Sequence, residues 1–307
     1  MVTWKLKAHT LAVLSRVPGG HRLYHALQAH ASARKQDGDE YLGRALEVLQ
    51  MLQENGANLR GAKYLEIGTG WRPFLPFLLS LAGAADITTF DVNRWLNGAY
   101  AFRTLREIAE RLATVAEGIG LDSAELRRRL DAVGGATDWR SLLRLLQIDY
   151  RCPADARQTG LPGASIDSVC STNVLGHIPP DVLAGIHRET FRVLKPGGLA
   201  VHRLNIDDHF SYVDPSIARV NFLRFSERQW HWYGGTGLGY HNRLRAPQHR
   251  RLLADAGFQI VSERVRVDSH ALEAIRTGAL PIHRDFAQFQ PEELAGVYMW
   301  VVCRRPG

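Results

Sequence analysis

Apolar residues recur every three or four positions in "YLGRALEVLQMLQ" (Tyr41–Gln53), a stripe that predicts an amphipathic helix in a helical segment over residues 1–60. "VPGG" (Val17–Gly20) interrupts that segment, because proline and glycine both break helical pattern. After residue 60 the rhythm changes. Short apolar runs, "AKYLEI", "DITTFD", "IDY", "SIDSVCST" and "LAVHRL", alternate with longer stretches of helical spacing. "QIVSERVRV" and "GVYMWVVCRR" add two further strands near the C-terminus. Pro73 opens the helix after the first strand, where a missing N–H costs nothing. "PPDVLAGIHRETFRVL" is a helix with proline at its start, closed by "KPGG", whose Pro196–Gly197 pair suits a type II turn. Between Ala99 and Leu146 the helical pattern breaks at "GIGLDS" and "VGGATD", where serine and aspartate are good N-caps. "APQHRRLLADAGF" reads as the last helix. The alternation predicts an α/β class with a doubly wound, seven-stranded, mostly parallel sheet covered on both faces. It occupies residues 61–307, with a helical insertion at 99–146, an aromatic-rich insertion at 205–244 and the first 60 residues as a cap.

Composition narrows the class. At 307 residues, 45% hydrophobic and 22% charged, the chain is globular and holds one large domain with additions, or two small ones. Its longest apolar runs, such as Phe77–Ala82, fall far short of the ~20 residues that span a bilayer, so no membrane partner is expected. Early lysines precede a short apolar segment, but Arg16 interrupts it and no small-residue cleavage site follows, so a cytoplasmic chain is expected. Cys152, Cys170 and Cys303 are scattered, with neither a disulfide framework nor a metal-type pair, which suits a reducing compartment. The net charge of +7 admits an anionic substrate or a nucleic acid. The basic residues are spread along the chain, however, and the densest run, Arg127–Arg129, follows Glu125 on a helical face that reads as solvated. A nucleic-acid partner is therefore not expected.

"YLEIGTGWRPFLPFLL" (Tyr64–Leu79) carries the chemistry. A strand ending in Gly68–Thr69–Gly70 and running into a helix is a nucleotide cradle, since glycine lets backbone approach a ligand and the helix start offers free N–H groups. Asp91 ends the second strand, 21 residues beyond Gly70, where a carboxylate can accept both hydroxyl hydrogens of a ribose. Dinucleotide enzymes place an acid likewise, so Asp91 does not discriminate.

The order is more specific than its parts. "LEIGTG", "FDVN", an acid in "CPADAR", "SIDSVCSTNVLGHIPP" and "FRVLKPGGLAVHRL" together resemble a class I S-adenosylmethionine-dependent methyltransferase with its Rossmann-like fold, over about Ala62–Leu204 and more loosely to Pro306. The resemblance implies S-adenosyl-L-methionine as cofactor and assigns its contacts. Glu66 works near the methionine end, Asp155 accepts from the adenine amino group while Ala156 offers its backbone N–H, and Asn173 lines the methionine end. Structural alternatives stay open: Asp91 as a strand terminator, Asp155 as a turn residue, Asn173 as a helix-entry cap. The chain also departs from the family pattern. Arg72 replaces the third glycine of E-x-G-x-G-x-G, Pro73 the last of G-x-G-x-x-G, and Gly176 stands where many relatives carry glutamate. Trp71–Arg72–Pro73 thus makes a bulkier cofactor loop.

The methyl acceptor must approach beyond the carboxyl ends of the strands. The helical insertion forms a lid there with the N-terminal helices, and "RQWHWYGGTGLGYHNR" is too polar for core and too aromatic for a plain loop, which fits an amphipathic pocket wall. A small organic acceptor, methylated at oxygen more readily than nitrogen, is expected. His209, four residues past the fifth expected strand and beside Asp207 and Asp208, is the first candidate for general base; His202 within that strand is second. Asp207, Asp208, His209 and His202 have metal-ligand side chains but no diagnostic spacing, so no metal is expected. His177 in "GHIPP" reads as structural support. Three rivals remain: a nucleic-acid or protein methyltransferase, although "STNVLGH" lacks the N/D-P-P-Y/F that holds an exocyclic amine; a catalytically silent cofactor-binding subunit; and a nicotinamide oxidoreductase. Oligomeric state is unreadable, and a homodimer is left open.

Overall fold

The structure, a computed structural model, describes residues 3–20, 23–24, 38–235 and 237–307. The helical run expected over residues 1–60 is therefore described in parts, its residues 1–2, 21–22 and 25–37 lying outside. Seven strands form one sheet: β1 (Lys63–Ile67), β2 (Asp86–Phe90), β3 (Ile148–Arg151), β4 (Ile166–Thr172), β5 (Leu194–Asn205), β6 (Gln259–Val267) and β7 (Gly296–Arg304). Their order is β3-β2-β1-β4-β5-β7-β6. The first five are mutually parallel, while β7 runs antiparallel to both β5 and β6. In β1 and β2 only the first residue is exposed, as expected of parallel strands covered on both faces, whose sequences read as unbroken apolar runs. The doubly wound α/β class expected from the alternation is the one observed. One boundary differs. β5 begins at Leu194, before the expected "LAVHRL", and its pairing with β4 jumps from Ile166–Leu194 to Ser168–Leu199. "KPGG" is thus an irregularity inside the strand, with Gly197 at φ +79° where glycine alone is comfortable.

Helix α1 (Trp4–Leu14) and α2 (Gly38–Glu54) precede the sheet. α3 (Phe74–Ala82) follows β1; Pro73 stands at its N-cap, one residue earlier than the expected first helical position. Eight of the nine residues of α3 are buried, because the sheet covers one side and the insertion the other. Each apolar side chain so buried contributes about 1.5–3 kcal/mol. The insertion is four helices: α4 (Gly98–Glu110), α5 (Leu112–Ile119), α6 (Ser123–Gly134) and α7 (Trp139–Leu145). The aspartates in its two breaks cap as expected: Asp122 accepts from the Glu125 N–H at 2.7 Å and Asp138 from the Ser141 N–H at 3.0 Å. α8 (Pro180–Val193) and α10 (Ala246–Asp255) cover the other sheet face, while α11 (Ser269–Arg276) and α12 (Pro291–Leu294) close the C-terminal part.

The aromatic-rich insertion is less irregular than its sequence. It contains α9 (Glu227–Tyr233), capped reciprocally by Ser226 and Gln229. Trp4 of α1 packs against the rings of Phe210, Phe225 and Tyr233, and its backbone N–H donates to Asp214 at 3.0 Å. Arg245 is fully buried and donates to the carbonyls of Ile206, Arg243 and Gly296, bracing both ends of the insertion. Among the described residues, no helix is long and apolar enough to cross a membrane.

Candidate active site

A cavity of about 810 Å³ opens at the carboxyl ends of β1, β2 and β4, the switch point where α/β folds bind ligands. Its volume lies in the ~300–1,000 Å³ range of small-molecule sites. All eight residues expected to hold the cofactor line it: Glu66, Gly68, Thr69, Gly70, Asp91, Asp155, Ala156 and Asn173. The two glycines differ in kind. Gly70 has φ +63° and a side chain there would meet no protein atom, so its open face belongs to the cavity. A Cβ at Gly68, by contrast, would lie 2.5 Å from Val174, so packing against β4's exit loop already requires glycine there.

Asp91 is pre-positioned by backbone. Its Oδ2 accepts from the Gly70 N–H at 2.9 Å and its Oδ1 from the Asn93 N–H at 3.0 Å, so one carboxylate clamps the glycine loop and keeps lone pairs toward the cavity. Burial raises its pKa against these bonds. Glu66 is buried and accepts from the Thr89 hydroxyl at 2.6 Å, and Thr89 is hydrogen-bonded in turn to Thr69. Burial raises the Glu66 carboxyl to about 8 despite the Thr89 bond, with the Asp91 charge adding to the rise. Asp155 is gripped by Arg157 through Nε at 3.0 Å and Nη2 at 2.6 Å, which holds its carboxyl below the usual range. Asn173 has left-handed backbone (φ +56°), donates its N–H to the Arg203 carbonyl at 2.7 Å and accepts from Arg203 Nη1 at 2.5 Å. Arg203 is anchored by Glu47 of α2 at 2.6 Å, so an N-terminal helix helps set the cavity wall.

Arg72, where the family pattern has glycine, bonds Thr104 at 3.1 Å and pairs with Glu107, both on α4. Its guanidinium, fully buried, ties the glycine loop to the insertion rather than crowding the loop itself. Gly176 has its own cause: a Cβ there would stand 2.5 Å from the Asn205 carbonyl oxygen, which leaves no room for glutamate.

The far end of the cavity is walled by the aromatic insertion. Asn242 donates its amide to the carbonyls of Leu175 at 2.8 Å and Ile178 at 2.9 Å, which stitches the insertion to the turn after β4. That brings His177, His209 and His241 together, with Trp230, Tyr240 and Asp208 beside them. Burial drives the pKa of His209 and His241 down. Asp207 does not orient His209: its carboxylate is 3.7 Å from His209 Nε2, beyond hydrogen-bonding reach, and is occupied by Tyr212 at 2.9 Å and Arg219 Nε at 2.9 Å. Asp208 accepts from the Phe210 N–H at 2.9 Å through Oδ1, and its carboxyl is further held by the Asn221 side chain and the Phe222 main chain. Burial raises the Asp208 carboxyl to about 7.

His202 is a correction. It does not line the cavity; it is fully buried in the sheet, 2.9 Å from Ser171 Oγ, because strand alternation points it away. Sequence reading passed over His241, whose only signal was a histidine in a stretch already marked as pocket wall, and over the anchoring roles of Arg72 and Arg203.

A family model described as a methyltransferase domain matches residues 39–263. The chain belongs to that family. The protein is an S-adenosylmethionine-dependent methyltransferase with a cofactor of that type. Solved structures of similar fold include an S-adenosylmethionine-dependent methyltransferase from Mesorhizobium loti (16% identity, 83% of this chain and 96% of that one, TM-score 0.46). Another is the magnesium protoporphyrin IX methyltransferase of Synechocystis PCC 6803, solved with bound SAH (15% identity, 86% and 83%, TM-score 0.47). A third comes from Methanosarcina mazei (15% identity, 83% and 97%, TM-score 0.43). No curated protein matches the sequence.

Proposed function

We propose that this methyltransferase acts on a small organic molecule and methylates it at oxygen. The observation that carries this is one cavity of about 810 Å³ lined by both the glycine-loop residues and the aromatic insertion. Such a space suits a compact acceptor rather than a nucleic-acid strand or a folded protein. Asp91 holds the ribose diol, Asp155 and Ala156 the adenine edge, and Glu66 and Asn173 the methionine end. The open Gly70 face and the two lone-pair-bearing oxygens of Asp91 fit that ligand. When bound, the cofactor supplies an electrophilic methyl group on sulfur. The protein's remaining task is to place the acceptor in line and take its proton.

Among the sequence candidates, Asp208 is better placed than His209 to take that proton. Its carboxyl stands on the cavity wall, held in place by the Phe210 N–H, whereas the His209 ring is packed 3.9 Å from His241. Trp230 and Tyr240 supply apolar wall for the acceptor body, and α1 and α2 exclude water. The three free cysteines, two of them buried, suit a reducing compartment, and we place the enzyme in the cytoplasm. The test is transfer of labelled methyl to a panel of hydroxyl- and amine-bearing small molecules, with RNA, DNA and protein alongside. Hydroxyl acceptors should be methylated and macromolecules not. Asp208→Asn keeps the bond to Phe210 and should cut turnover about 10²–10⁴-fold with cofactor affinity unchanged. Turnover within threefold of wild type would remove Asp208 from the chemistry.

A further inference from the structure

Three histidines from three separate segments meet at the acceptor end of the cavity. His177 lies in the turn after β4, His209 in the turn after β5, and His241 in the stretch before α10. One ring nitrogen of each lies within 4.8 Å of the others, and the ring centres of His209 and His241 are 3.9 Å apart. As mere packing this arrangement is costly. The Nε2 atoms of His209 and His241 are both buried without a partner, and an orphaned buried polar atom costs about 1–3 kcal/mol. Two of the rings are nevertheless held by backbone: His177 Nδ1 is 3.2 Å from the Tyr240 carbonyl oxygen, and the His241 ring is hydrogen-bonded to the Asp207 main chain. A histidine whose one nitrogen is fixed by a carbonyl presents the lone pair of the other, which is how metal-bound imidazoles are oriented.

We infer that His177, His209 and His241 bind one divalent transition-metal ion of the zinc type, with an open coordination position facing the cavity for an acceptor oxygen. An all-imidazole set suits zinc, nickel, copper or iron and disfavours magnesium and calcium, which take oxygen ligands. Three protein ligands with one open position is the pattern of a reactive rather than a structural site. Tetrahedral zinc with bonds of about 2.0–2.1 Å holds its nitrogens roughly 3.3 Å apart. His177 is exposed, so its ring can pivot on the bond to the Tyr240 carbonyl, and that movement closes the triangle. An ion here would lower the pKa of a bound hydroxyl and so prepare an oxygen nucleophile beside Asp208. The binding site stands on its own geometry; only the use of the open position rests on the methyl-transfer reading.

The experiment uses the full chain, stripped with chelator and titrated with zinc(II) and with cobalt(II). We expect one equivalent of zinc by elemental analysis, and intense visible absorption from the cobalt form, which reports low coordination number. Loss of an outer partner alone costs about 10–100-fold in affinity, so His241→Ala and His177→Ala should each weaken zinc binding at least about 100-fold. His177 is exposed, so His177→Ala keeps the fold, checked by circular dichroism and melting temperature. His270→Ala, on the exposed face of α11, should bind like wild type. Failure of wild type to bind stoichiometrically, or undiminished binding by His177→Ala, overturns the site. S-adenosylhomocysteine titrated into the same samples separates the two ideas: its binding without any metal binding would sink the ion and leave the methyltransferase untouched.

Discussion

Replacing Asp91 with alanine removes an acceptor that serves two purposes at once. In the free protein its carboxylate takes the Gly70 N–H at 2.9 Å and the Asn93 N–H at 3.0 Å. Hydrogen bonds to a charged group contribute about 1.5–3 kcal/mol each, and burial of the carboxylate offsets part of that, so Asp91→Ala should cost about 1–4 kcal/mol of stability without ligand. In the proposed complex the same carboxylate accepts two ribose hydroxyls. Their loss, about 3–6 kcal/mol together, should weaken S-adenosylhomocysteine roughly 10²–10⁴-fold. Asp91→Asn retains one acceptor oxygen and should fall between, near ten- to a hundredfold. Calorimetric titration of the three proteins measures affinity directly, and thermal unfolding without ligand measures the clamp. Wild type at a ligand concentration of ~100 Kd should gain about 2.7 kcal/mol, with no gain from NAD. An Asp91→Ala protein that binds within threefold of wild type would refute the assignment, and one that melts at the wild-type temperature would refute the clamp.

Other expectations follow from single contacts. Glu66 is raised to about 8 in the fold from an ordinary 4.5, so the native state keeps a proton that the unfolded chain loses. Its contribution to stability is full below pH ~4.5, declines as pH rises toward ~8 and is flat above. Glu66→Gln should remove that decline, gaining up to about 3–5 kcal/mol relative to wild type at pH 8 and nothing at pH 4, measured by urea unfolding across pH; parallel profiles would contradict it. Gly176→Ala places a Cβ 2.5 Å from the Asn205 oxygen and should cost about 1–3 kcal/mol, read as a lowered denaturant midpoint. Arg72→Met cuts the tie from the glycine loop to Thr104 and Glu107, and should speed amide exchange along α4 and destabilise by about 1–3 kcal/mol. Unchanged exchange in α4 would show that the tie is dispensable.

Much of this molecule was legible in its sequence because local pattern and global fold agree. β1 and β2 are interior parallel strands, so their apolar runs needed no partner to be recognised, and Asp122 and Asp138 announce helix starts by chemistry that acts over three residues. The eight residues expected at the cofactor converge on one cavity for the same reason, since each sits at a strand exit a fixed step from a glycine or strand end. What was not legible depends on contacts between distant segments. His202 and His209 lie in one stretch and look alike, yet strand alternation buries one against Ser171 and the turn sends the other to the cavity. His241 joins His177 only because Asn242 bonds the carbonyls of Leu175 and Ile178, more than sixty residues earlier. Arg72 read as bulk in a loop that wanted glycine; its partners on α4 lie more than thirty residues on.

The most direct measurement is a crystal structure of the protein with S-adenosylhomocysteine. The ribose hydroxyls should lie on Asp91, the adenine edge on Asp155 and Ala156, and the methionine end near Glu66 and Asn173. The sulfur should face remaining space walled by Asp208 and the three histidines. A ligand seated elsewhere, or a sulfur turned away from that space, would contradict the account.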